Sequence, residues 1–311
     1  MAKDKRKSIQ QQLKELRAKL DAIDRRSAVG KLEFSTREID KQKSPIVYYR
    51  RLPRRDLSPR PPEVNLNRGR EGLKLSLEEV VAGIEIRSRH GEAFMVSTCV
   101  DDLEDATFFS ERFSEKMTAR DSGLWQRIAA IHDPEKLALH DVLFMDIETT
   151  GLGNSPLFLI GIMFWEMAGF EVRQFLARDY AEEATVISCF IEACASKKLL
   201  ITFNGKSFDM PYIRARAAVN RIPFQTTLGH FDLLHECRRI WRDVLPNCRL
   251  QTLERHICNR IRFGDIPGSQ IPEVYHEYVR SSNARLMGDI LKHNLLDLVT
   301  MADLMTRFPT P

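Results

Sequence analysis

No run of apolar residues in this sequence approaches the roughly 18–20 that a bilayer-spanning helix needs, so no spanning segment and no membrane partner are expected. Cysteine is sparse. Its six copies stand at 99, 189, 194, 237, 248 and 258, with no C-x-x-C pair and no spaced Cys/His set. That excludes a zinc site and a disulfide framework, and the thiols read as reduced and mostly buried. No G-x-x-x-x-G-K-[ST] phosphate loop occurs, which excludes a P-loop motor driven by ATP. No internal repeat is visible. The N-terminus, MAKDKRKSIQQQLKELRAKL, lacks the apolar core of a secretory signal, so a cytoplasmic protein is expected. Aromatic residues at Phe108, Phe109, Trp125, Phe164, Trp165 and Trp241 are scattered rather than interleaved with basic ones. They read as core, not as a stacking platform for bases.

What is present is ordinary globular stock: 43% hydrophobic and 29% charged residues over 311 positions, enough for one large domain with an appendage. The net charge of +4 hides an asymmetry. Residues 1–70 hold 20 Lys and Arg against 9 Asp and Glu, which leaves 27 against 34 for the rest. A basic arm on an acidic body points to a polyanion as the arm's partner.

Four zones follow. In 1–24, Ile9, Leu13, Leu16, Leu20 and Ile23 alternate at spacings of four and three, which predicts a short amphipathic basic helix and a possible docking element for a protein partner. Residues 25–72, rich in Arg, Pro and Ser, read as a basic linker. Residues 73–134 hold a small hairpin around EIRSRHGEAFMVSTCV and a helix near 123–131. Residues 135–311 predict an α/β domain with a mixed sheet flanked by helices. Strands at 142–148, 157–166 and 171–177, a helix at 181–196 and a strand at 199–204 come first; a nearly all-helical remainder follows.

Chemistry concentrates in three stretches. VLFMDIETTGLG (142–153) ends a buried strand with Asp146 and Glu148, two apart and therefore on one side of the sheet. FNGKSFDMPYI (203–213) brings Asp209 to another strand end. GDILKHNLLDLVTMADLM (288–305) is an apolar helix on which His293 and Asp297 stand one turn apart. All four acids adjoin apolar elements and lack a Lys or Arg partner in their own stretch. Buried carboxylates that converge need cations among them. Oxygen ligands with open positions suit two Mg²⁺ or Mn²⁺ ions, the arrangement that cleaves phosphodiesters. His293, with an ordinary pKa of about 6.5, suits a general base.

DIETTGL, NGKSFDMPY and HNLLD, in this order, resemble the three motifs of the DEDD exonuclease superfamily, whose fold is RNase H-like. Within it, PLFLIGI, FDLLHECRRIW and DIPGSQIPEVYHEYV make the chain similar to the YprB-like group of predicted exonucleases. The resemblance implies metal-dependent 3′→5′ exonuclease action on DNA or RNA, at single strands or 3′ ends, with nucleoside 5′-monophosphates released. It implies Asp146, Glu148, Asp209 and Asp297 as metal ligands. It also implies Thr149, Thr150, Gly151 and Leu152 as a cradle for the terminal nucleotide. Asn204 and Lys206 are candidates for phosphate contacts, Asp232 for a supporting acid or a helix cap, and Arg238, Arg239 and Arg242 for tracking a strand's backbone. Phe208 reads as core.

The chain departs from the superfamily at one point. The histidine branch places its base five residues before the last Asp, here Lys292. The tyrosine branch places its residue four before, here His293. Histidine chemistry at the tyrosine spacing still shares a helix face with Asp297, so His293 is the expected base. Some relatives carry helical repeats beyond the nuclease domain, and no such platform is expected after the third motif here. Two other readings stay open, a nucleic-acid-binding scaffold and a structure-specific endonuclease on the same fold.

Overall fold

The computed structural model describes residues 49–51, 74–103, 109–119, 123–133, 136–167 and 169–309. The helix expected over 1–24 lies outside them, as does the basic stretch 25–72 apart from 49–51. Those three residues form β1 (Tyr49–Arg51), paired antiparallel with β9 (Arg260–Arg262).

A seven-stranded mixed sheet organises the rest, in the order β2-β3-β6-β5-β4-β7-β8. The Arg89-His90 turn joins β2 (Ile84–Ser88) to β3 (Gly91–Cys99), and β3 pairs antiparallel with β6 (Gly169–Leu176). The hairpin is therefore an edge of the main sheet. The apolar runs at 142 and 157 form β4 (Val142–Thr149) and β5 (Leu157–Glu166), which pair antiparallel. On β4's other side lies β7 (Leu199–Thr202), parallel to it, and beyond β7 comes β8 (Gly229–Asp232), again parallel. The strand β8 corrects the expectation of a helical remainder. It has four residues and runs straight into a helix, too brief for a period of two to show.

Helices cover both faces. The pleat sends Leu143, Met145 and Ile147 into one apolar cluster, with α4 (Glu183–Cys194) and α8 (Ile271–Ser281). It sends Val142 and Phe144 into the other, with α2 (Phe109–Ala119), α3 (Gly123–Ala129), α6 (Leu233–Trp241) and α7 (Leu250–His256). The long α9 (Met287–Thr306) contributes to both clusters and is buried along most of its length. Asp146 and Glu148 continue the side of Val142 and Phe144, just past the point where that cluster ends. The remaining helices are the single turn α1 (Leu77–Val80) and α5 (Asp209–Val219), the crossover between β7 and β8. Among the described residues no helix is long and apolar enough to cross a membrane.

Candidate active site

The three parallel strands β4, β7 and β8 end at the same edge of the sheet, and every acid expected from the sequence is carried at or near those ends or on α9 above them. Ligands in open α/β sheets bind at such carboxyl ends. Asp146, Gly161 and Gln174 form one cross-strand row on β4, β5 and β6. Asn294 of α9, fully buried, lies over that row. Its Nδ2 donates to Asp146 Oδ2 (2.9 Å) and to the Asp146 carbonyl (3.3 Å). Its Oδ1 accepts from Gln174 Nε2 (2.9 Å), which also donates to the Leu291 carbonyl (2.7 Å). The chain thus uses a buried amide pair to lock α9 to the strand carrying Asp146.

Asp209 opens α5 and is buried. The loop before it is held by Asp232, the last residue of β8. One oxygen, Oδ1, accepts from the main-chain N–H of Asn204 (2.8 Å) and of Leu234 (3.0 Å), and Oδ2 accepts from Lys206 N–H (3.0 Å). Asp232 is therefore at once the cap of α6 and the clamp of the β7–α5 loop. Asn204 takes a left-handed conformation (φ 69°) inside that clamp. Lys206 is exposed, and Phe208 packs against the core beside Tyr212, with ring centroids 5.5 Å apart.

The same helix also pins the turn after β4. Tyr212 Oη donates to the carbonyls of Ser155 (2.6 Å) and Gly151 (3.1 Å). Arg216 Nη1 donates to the Asn154 carbonyl (2.6 Å) while its other nitrogens grip the buried Glu183. Within the turn, Thr149 Oγ1 donates to Gly151 O and Thr150 Oγ1 to Pro156 O, both at 2.9 Å. Those two hydroxyls are occupied inside the turn. Leu152 is left 85% exposed at its tip.

On α9, His293 and Asp297 share a face as their spacing predicts, with Nε2 3.7 Å from Asp297 Oδ2. Lys292, at the position the histidine branch would use, instead donates to the Phe263 carbonyl (3.2 Å). No Lys or Arg of its own stretch pairs with Asp297, but a cation from elsewhere in the chain does. Arg262 Nη2 stands 2.5 Å from its Oδ1. The partner comes from β9, 35 positions earlier in the chain, where no local pattern could reveal it. Arg262 also donates from Nε to Glu254 Oε2 (2.6 Å) and from Nη1 to Asp265 Oδ2 (3.3 Å). Asp265 Oδ1 in turn pairs with His293 Nδ1 (2.9 Å). Arg262, Glu254, Asp265, Asn294 and Tyr212 were all missed as site residues. The only signals were the places of Asn294 and Tyr212 inside matched motifs and the acid that opens the quoted DIPGSQIPEVYHEYV.

Arg238, Arg239 and Arg242 are exposed on or just after α6, two of them paired with acids on the same surface, Arg239 with Glu236 and Arg242 with Asp243. Phe109, Trp125, Phe164 and Trp241 are buried, and Trp165 packs partly buried against the core. All six cysteines are free, four of them buried.

The electrostatics of the acids are those of a site short of positive charge. Burial, then the charges of Asp297, Glu148 and Asp209, push the Asp146 carboxyl well above its ordinary range. Burial together with Asp297, Asp209 and Asp265 lifts Glu148 to about 8, against the pull of His293. Asp209 is lifted to about 7 by burial, Asp232 and Asp297. Burial alone would lower His293, but Asp297, the bond to Asp265 and Glu148 outweigh it and bring it to about 9. Among the described residues no three His, Cys, Asp or Glu side chains close into a metal cage. An all-oxygen set of crowded carboxylates nevertheless fits hard divalent cations.

A stability prediction follows. Glu148, Asp209 and His293 all bind protons more tightly folded than unfolded, so cation-free protein loses stability as pH rises from about 4 to about 9. Thermal melts in a chelator should show that fall. Mg²⁺ or Mn²⁺ at a hundredfold excess over Kd should restore about 2.7 kcal/mol at pH 8. A melting temperature unmoved by either ion at pH 8 would count against a cation site.

The chain is similar to known proteins over its α/β domain. A family model described as the RNase_H superfamily matches residues 143–308. The Bacillus subtilis (strain 168) protein YprB, itself described as uncharacterized, is 31% identical over 170 residues, which are 53% of this chain and 41% of YprB. The chain thus spans well under half the length of that relative. The family B DNA polymerase of the archaeon Pyrobaculum calidifontis aligns with a TM-score of 0.42 and 16% identity, over 52% of this chain and 24% of the polymerase.

Proposed function

Because the chain belongs to the RNase H superfamily, we propose that its carboxylate cluster hydrolyses phosphodiester bonds, as a metal-dependent 3′→5′ exonuclease that releases nucleoside 5′-monophosphates. The observation that carries this reading is the convergence of Asp146, Glu148, Asp209 and Asp297, with His293 beside the last, at the carboxyl ends of parallel strands.

Asp146, Glu148, Asp209 and Asp297 would hold two Mg²⁺ or Mn²⁺ ions, which supply Lewis-acid activation of water and stabilisation of the leaving oxygen. His293 accepts the water's proton at Nε2, the ring nitrogen that faces Asp297. Its high pKa in the cation-free site comes from the same carboxylates, so neutralising them frees the ring to act as a base. The turn at Thr149–Leu152, stiffened by Tyr212 and Arg216, positions the terminal nucleotide. The exposed Leu152 offers it an apolar edge, and Asn204 and Lys206 border the phosphates. The basic stretch that includes β1, which pairs with β9, the strand carrying Arg262, adds salt-sensitive phosphate contacts. A cytoplasmic location belongs to the same reading.

The test is degradation of 5′-labelled single-stranded DNA and RNA in Mg²⁺ and in Mn²⁺, with Asp209→Asn as the control. A ladder shortening from the 3′ end, absent for the variant, is expected. Internal fragments would point to an endonuclease, and intact polymer with tight binding to a scaffold.

A further inference from the structure

Four side chains close a ring. Asp265 Oδ1 meets His293 Nδ1 (2.9 Å), and His293 Nε2 faces Asp297 Oδ2 (3.7 Å). Asp297 Oδ1 meets Arg262 Nη2 (2.5 Å), and Arg262 Nη1 returns to Asp265 Oδ2 (3.3 Å). All four come from two elements, α9 and the segment 262–265 at the end of β9. Glu254 and Thr300 brace the arginine from behind: Glu254 Oε2 accepts from Arg262 Nε (2.6 Å), and Thr300 Oγ1 donates to Glu254 Oε1 (2.9 Å).

The ring leaves one nitrogen underused. The Arg262–Asp297, Arg262–Asp265 and Asp265–His293 contacts are within hydrogen-bond or ion-pair reach, whereas 3.7 Å from His293 Nε2 to Asp297 is too long for a hydrogen bond. Here one nitrogen is anchored and the other is presented. An ionised carboxylate only accepts, so the partner of Asp265 must be an N–H, and Nδ1 carries the proton. Ionisation of Asp265 is favoured: burial works against it, but the hydrogen bond to His293 and the Arg262 charge outweigh burial and hold its carboxyl below the usual range.

We propose that Asp265, backed by Arg262, is the positioning residue of His293. It fixes the tautomer with the proton on Nδ1 and aims the Nε2 lone pair into the site alongside Asp297. Arg262 sets the other half of the geometry. By occupying Asp297 Oδ1 it leaves Oδ2 as the oxygen turned to the site, on the same side as Nε2. The inference rests on the hydrolytic reading above and adds to it the group that makes His293 a base rather than a passive neighbour. The same division of labour, a buried carboxylate orienting a histidine, is the logic of hydrolase triads, where loss of the carboxylate's charge costs about 10⁴ in kcat through the wrong tautomer.

Two measurements test it on the full chain loaded with Mg²⁺. In ¹⁵N-histidine-labelled protein, with the His293 signals identified by their loss in His293→Gln, two-bond ¹H–¹⁵N spectra should show Nδ1 protonated and Nε2 bare. Asp265→Asn should shift the ring toward the Nε2–H form. In kinetics on a labelled oligonucleotide, Asp265→Asn should lower kcat about 10²–10⁴-fold while KM and the Mn²⁺ dissociation constant by calorimetry stay within about threefold. A wild-type ring protonated at Nε2, or an Asp265→Asn kcat within threefold of wild type, would overturn the proposal. If wild type cleaves no nucleic acid, the hydrolytic reading fails, while the spectra of wild type still decide the tautomer on their own.

Discussion

Asp146→Asn is expected to lose metal-dependent hydrolysis by roughly 10³-fold or more while its cation-free form melts higher than wild type. The two effects share a cause. Asp146 is held among Asp297, Glu148 and Asp209, and burial with those charges pushes its carboxyl well above the ordinary range. Without cations, ionising it costs stability. An asparagine keeps an oxygen to accept from Asn294 Nδ2, so the lock on α9 survives, and it removes one charge from the crowd. Relief of about 1 kcal/mol corresponds to about 2–4 °C in a domain of this size. The sign depends on pH in a defined way. The wild-type penalty grows as pH rises past the ordinary carboxylate pKa, so the gain from Asn should be plain at pH 8 and small at pH 5. Melts in a chelator at both pH values, beside initial rates in Mg²⁺, measure the pair. A variant that melts lower at pH 8 would mean Asp146 holds the fold together rather than serving as a ligand.

This opposition between function and stability is what local patterns in the sequence could foreshadow. An apolar run that ends in two acids, as at 142–148, conflicts with itself unless something else completes it, and such conflicts mark functional sites. Asp146, Glu148, Asp209, His293 and Asp297 were legible for that reason. So were β4, β5, β6 and α9, each carried by a run or a period of its own.

What was not legible is non-local. The attachment of the β2–β3 hairpin to β6 depends on register between segments some 80 residues apart. β8 is hidden because Asp232 ends a four-residue strand and caps a helix in the same position. β1 lies in a Pro- and Arg-rich stretch and pairs with residues more than 200 positions away. The supports of the site follow the same rule. Arg262 and Asp265 sit in RIRFGD, where nothing marks them as partners of a helix 30 residues later. Asn294 is visible in HNLLD, but its role depends on Gln174 and Asp146 meeting it from two strands. Charge patterns told where the acids converge; only packing could tell what holds them.

Gly161 offers the sharpest test of that packing. It faces Asp146 across β4 and β5, and a Cβ added there would fall 1.9 Å from Asn294 Oδ1 and 2.7 Å from its Cγ. No rotamer of the added methyl group exists to relieve this, and Asn294 is fully buried on a helix packed into both clusters. Gly161→Ala must therefore displace Asn294. Overpacking costs about 1–3 kcal/mol, and stranding the buried amide bonds to Gln174 and Asp146 about 1–3 more. At about 2–4 °C per kcal/mol the melting temperature should drop by roughly 5–20 °C. Activity in Mg²⁺ should fall at temperatures where the variant is still folded, because Asp146 loses its anchor. The double variant Gly161→Ala/Asn294→Ala separates the two costs. It removes the clash but not the lost hydrogen bonds, so it should recover part of the melting temperature and none of the activity. Equal melting of Gly161→Ala and wild type would show that Asn294 does not lie over this row, and the lock between α9 and Asp146 would have to be abandoned.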